Sequence, residues 1–195
     1  MSLWFWTLLL AIALLGWLVA YMLAQRPITN AQQLLQQRRY EDAVMEAMRT
    51  GDHFHRAEAL KLLGRYEEAI AAYKLSNDPA AREGIALSLA HLGRDLDEAR
   101  RLMETQIAQH PQIQEFQSLV LAFILLRAGD REPALRLYHD NLELLETRFR
   151  DDYTDPDPLL SETLHLFSVL AETNGEEARA DSLARQAEKW GWRAR

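Results

Sequence analysis

Three groups of side chains in this chain have types and spacings that could do chemistry. His53 and His55 make a potential metal pair, Ser161 and His165 a potential nucleophile and base, and Asp151, Asp155 and Glu162 a potential calcium loop. Each lacks a part. Residues two apart on a helix face different ways, so His53 and His55 cannot ligate from one helical face, and no third ligand accompanies them. Ser161 and His165 sit one helical turn apart, with no strained elbow, glycine-rich oxyanion loop or orienting acid. In the acidic run Tyr153 fills a ligand slot, and Pro156 stands where a calcium loop needs glycine for its sharp turn. With 0 cysteines, thiolate metal sites, iron–sulfur clusters and thiol catalysis are excluded. The expectation is a non-enzyme with no metal and no cofactor. A formal net charge of −7, without a basic run interleaved with aromatics, argues against nucleic acid as partner.

The elements that would position such side chains are helical. Leu3 to Ala24 carries no charge. At helical rise it is long enough for a hydrocarbon core of about 30 Å. Trp4, Phe5 and Trp6 lie at one end, Trp17 and Tyr21 toward the other, as suits two interfaces. No Lys or Arg precedes the run, and Met22-Leu23-Ala24 is a poor cleavage site, so a membrane anchor is preferred to a signal peptide. Residues 3–24 would contact lipid. Arg26, Arg38 and Arg39 follow closely, which places the N-terminus outside and the C-terminal domain in the cytoplasm. Ala13, Gly16, Ala20 and Ala24 share one helix face and could admit a transmembrane helix partner, although small residues are common in any apolar helix.

After Thr29 no period-two strand pattern appears, and glycines and prolines punctuate the chain at Gly51, Gly64, Pro79, Gly93, Pro111, Gly129, Pro156, Pro158 and Gly175. The clearest unit is Gly64, Tyr66, Ala69 and Tyr73. It returns as Gly93, Leu96, Ala99 and Met103 with one residue inserted after the glycine, and as Gly129, Ala134 and Tyr138. Fainter copies are Gly175, Ala180, Ala184, and Tyr40, Ala43, Ala47 with Arg38 in the glycine slot. This spacing resembles the tetratricopeptide (TPR) repeat family. The preceding helices carry Ile85-Ala86 with Leu89, and Leu121-Ala122 with Leu125. The intervals are uneven, and an unrelated stack of helical hairpins remains the alternative.

The resulting expectation is an all-α chain, with a single N-terminal transmembrane helix followed by a TPR-like α-solenoid. Residues 1–26 form the anchor and 27–150 the repeats. Residues 151–158 form an acidic, proline-containing loop, in which Asp157 would cap a helix starting at Pro158. Residues 159–195 form the last hairpin and a cap built on Trp190-Gly191-Trp192. In TPR proteins the first helix of each pair lines a concave groove. The resemblance therefore places Phe116, Leu119, Phe123 and Leu126 in that groove, flanked by Leu87, His91, His165 and Val169. The alternative is that this central helix is buried on both sides by the chain's own C-terminus. The groove positions Phe54, Glu58, Glu83, Leu119 and Phe123 donate no hydrogen bonds to a carboxylate, so an apolar or helical protein segment is the expected partner. The implied function is a membrane-anchored scaffold that recruits a protein partner, in assembly of an envelope or membrane complex. The runner-up is a structural subunit of a membrane complex held through its transmembrane helix.

Overall fold

The computed structural model describes residues 31–109, 114–148 and 158–192. All regular structure among them is helical: α1 (Ala31–Gln36), α2 (Tyr40–Thr50), α3 (His53–Leu62), α4 (Tyr66–Tyr73), α5 (Ala81–Leu92), α6 (Leu96–Gln109), α7 (Gln114–Ala128), α8 (Arg131–Arg148), α9 (Pro158–Thr173) and α10 (Glu177–Trp190).

The transmembrane expectation requires correction. Among the described residues no helix is long and apolar enough to cross a membrane, so a single-pass protein with a cytoplasmic C-terminal domain is not supported. The most apolar candidate from the repeats, α7, has 15 residues, about 22 Å at helical rise and short of a hydrocarbon core. The segment 3–24, with Ala13, Gly16, Ala20 and Ala24, lies outside the described residues, as do Pro111 and residues 151–157 of the acidic loop.

Turns set the architecture. Gly64 adopts φ +71° and lets the Arg65 N–H reach back to the Leu60 carbonyl at 2.9 Å, closing the end of α3. The same backward bond ends α5, α7, α9 and α10. In the first turn Arg38 holds the glycine slot at φ +60°, the left-handed region that costs an ordinary residue about 1–2 kcal/mol. The residue inserted after Gly93 is absorbed by a second left-handed position, Asp95 at φ +50°.

These turns fold the chain into five successive hairpins, α1–α2 through α9–α10. The odd-numbered helices form an inner layer in which α1 touches α3, α3 touches α5, α5 touches α7 and α7 touches α9. Helix α9 also touches α1, so the inner layer closes on itself. The even helices press small residues into it: Ala43, Ala69, Ala99, Ala134 and Ala180 are all buried. Tyr73, Met103 and Tyr138 fill the space behind them. Closure is held at the C-terminus as well. The Arg38 guanidinium donates to the Lys189 carbonyl at 2.6 Å, and the Tyr40 hydroxyl to that of Gly191 at 3.4 Å.

Candidate functional site

Because the inner helices run alike, equivalent turns of each meet at the same level, and the interior is layered. Nearest the N-terminal ends lies a partly open cavity of about 410 Å³. Every inner helix contributes to it: Gln32 from α1, Phe54 and Glu58 from α3, Glu83 and Leu87 from α5, Phe116 and Gln117 from α7, Leu160 and Glu162 from α9. Of the three carboxylates only Glu83 lies in the first turn of its helix, where the helix dipole favours negative charge.

A buried charge cluster bounds the cavity. The Lys61 ammonium, 8% exposed, donates to Glu162, 3% exposed, at 2.7 Å, and to Glu58 at 3.3 Å. The second Glu162 oxygen lies 3.0 Å from His91 Nε2. The Tyr73 hydroxyl donates to Glu58. Thus α3, α4, α5 and α9 are tied through one set of polar side chains. Burial alone would raise the Glu162 carboxyl, but the Lys61 charge and the His91 hydrogen bond outweigh it and hold it at about 2. Burial likewise penalises the Lys61 ammonium, and Glu162 and Glu58 more than offset this, leaving it well above its ordinary value. Burial, reinforced by Glu58, raises the Tyr73 phenol, which stays protonated as the donor.

Beyond this cluster lies an aromatic layer. Tyr66 stacks on His91 with ring centroids 4.8 Å apart, and the Phe123 ring lies tilted with its centroid 5.2 Å from that of His91. Trp192 stacks on His165 at 4.7 Å and reaches His91 at 5.5 Å. Burial, with the nearby His91, lowers the His165 imidazole to about 4.

The residues expected to line a groove are distributed between these layers. Leu87 and Phe116 line the cavity. His91, Phe123 and His165 lie in the aromatic layer against Trp192 or its neighbours. Leu119 is fully buried, while Leu126 and Val169 pack at the margin of the same core. His55 is held by the Asp52 carboxylate at 2.7 Å, and Ser161 is buried. No group of His, Asp or Glu among the described residues is arranged to hold a metal ion.

Sequence reasoning missed Lys61, and it named Glu162 only as a ligand of a potential calcium loop. The available signal was a lone lysine in the apolar run Ala59-Leu60-Lys61-Leu62-Leu63, since a charge inside a buried stretch demands a partner. Glu58 and Glu83, named only as groove positions unsuited to a carboxylate, prove to face the cavity.

The chain matches no protein-family model and no curated protein.

Proposed function

We propose that the chain is a TPR-like binding scaffold that holds a segment of a partner protein in the cavity at the centre of its inner layer. One observation carries this reading: all five inner helices place residues around a single partly open cavity. Its volume falls in the range of ligand-binding clefts, and its wall mixes apolar surface with a few convergent polar groups. The repeat spacing and the buried alanines of α2, α4, α6, α8 and α10 support the TPR likeness. Binding without chemistry suits the site. Lys61, Glu58 and Glu162 are spent on one another, and Lys61 is far too basic to act as a nucleophile at neutral pH.

A photoreactive amino acid in place of Phe116, which lines the cavity, tests the reading. In cells it should yield adducts carrying a foreign peptide, whereas the same group at exposed Leu75 should not. Only internal crosslinks from position 116 would overturn the proposal.

A further inference from the structure

We propose that the cavity takes a basic side chain, the ammonium or guanidinium of a lysine or arginine set in an apolar stretch of a partner protein, with Glu83 as its counter-ion and the Gln117 amide oxygen as second acceptor. The proposal rests on the reading of the cavity as a partner site and adds the chemistry of what enters it.

The charges around the cavity do not balance. Glu58, Glu83 and Glu162 line it, against Lys61 as the lining cation among the described residues. Lys61 is already shared by Glu58 and Glu162. Glu83 has no ion pair among the described residues, yet it keeps part of its surface open to the cavity. Burial raises its carboxyl above the ordinary value, and Lys61 at longer range only partly offsets this. A carboxylate in that position gains more from an incoming cation than one in open water would.

Gln117 is the second and independent observation. It is 1% exposed, lines the same cavity, and neither its amide oxygen nor its nitrogen has a hydrogen-bond partner of ordinary geometry. The amide is near enough to Glu83 to favour the ionised carboxyl. Leaving a buried polar group unmet is costly, and native interiors seldom leave one so. An N–H donor brought by a ligand would satisfy the amide oxygen and Glu83 together. The apolar wall suits the rest of such a ligand. Phe54, Leu87, Phe116 and Val120 offer surface for the methylene stem and for an apolar neighbour.

The rival occupant is an anion, because helix N-termini gather at this end. Glu83, the third residue of α5, already supplies negative charge there.

Calorimetric titration of the full chain with three blocked tripeptides tests the proposal. The peptides share flanking leucines and carry lysine, norleucine or glutamate at the centre. The lysine peptide should bind with a Kd below about 1 mM and about tenfold or more tighter than the norleucine peptide. Glu83→Gln, which keeps the side chain's shape, should abolish that preference while leaving norleucine binding and the thermal midpoint in place. Glu83→Lys should shift preference toward the glutamate peptide. Equal binding of lysine and norleucine peptides would overturn the cation assignment and leave the partner site standing. Preference of the unaltered chain for glutamate would overturn it in favour of an anion. No binding of any peptide would also overturn it, and the position-116 crosslinks would then show whether the partner-site reading falls too.

Discussion

Lys61 joins helices from opposite ends of the chain, and its worth lies in its partners. Replacing it by methionine would leave buried Glu162 and half-buried Glu58 without the ammonium they share. Breaking a buried pair from one side costs about 3–5 kcal/mol, whereas removing both charges costs far less. Urea unfolding of Lys61→Met should show a loss of that size, and the double variant with Glu162→Gln should recover much of it. The pH dependence of stability separates two neighbours. Glu162 sits at about 2 against an ordinary 4.5. Its stabilising contribution is therefore present above 4.5 and lost only as pH falls toward 2. His165 sits at about 4 against 6.5. The unfolded chain takes up that proton first, so stability is full above 6.5 and falls as pH drops to about 4. The groups facing His165 are His91, Glu162 and the Trp192 ring. Glu83, raised by burial, acts in the opposite sense: its folded carboxyl keeps a proton more readily, which favours the fold as pH falls. The decisive comparison is therefore with His165→Gln, whose urea midpoint should fall less than that of the unaltered chain over this window. At this scale the sequence was least legible. The oddity of Lys61 was visible among its leucines, but its partner Glu162 comes from a helix that only tertiary closure brings near.

Helices and turns were the most legible level. A glycine that must take positive φ is locally constrained, so Gly64, Gly93, Gly129 and Gly175 mark true helix ends. Arg38, assigned by spacing to a glycine slot, does adopt a left-handed backbone. The one-residue insertion after Gly93 also has a local answer, in Asp95. Packing between elements was partly legible. Ala69 and its counterparts are buried because a larger side chain would hold the even helices off the inner layer. Gly84 shows a contact that spacing did not reveal. A Cβ there would land on the Tyr73 ring, which is buried and anchored to Glu58. Gly84→Ala should destabilise the fold by about 1–3 kcal/mol through overpacking, despite the better helix propensity of alanine. Amide hydrogen exchange in α4 and α5 should rise accordingly. For α7 the pattern was ambiguous for a physical reason. A helix apolar on two faces reads the same whether its inner face lines an open groove or packs inside a closed layer.

For the whole molecule, closure is the feature from which the rest follows. An open solenoid would leave α1 and α9 apart and Lys61 without Glu162. Here α9 touches α1, and the C-terminal turn bonds back to Arg38 and Tyr40. Trp192 then seals the aromatic layer beneath the cavity. Trp192→Ala should cost about 3–5 kcal/mol, as for other buried large-to-small changes. It should lower the thermal midpoint without loss of helical circular dichroism at low temperature. Closure could not be read from repeat spacing. It depends on small rotations accumulated over five hairpins, and no single hairpin encodes it. The direct test exploits the absence of cysteine. Spin labels can be placed on Gln37→Cys and Lys189→Cys, both exposed positions, and their separation measured by pulsed electron paramagnetic resonance. Closure predicts one narrow distribution at or below about 20 Å, whereas an open array of hairpins spaced about 10 Å apart puts the labels about 40 Å from each other. A dominant population at the longer distance would contradict the closed inner layer, and with it the cavity and its charge cluster.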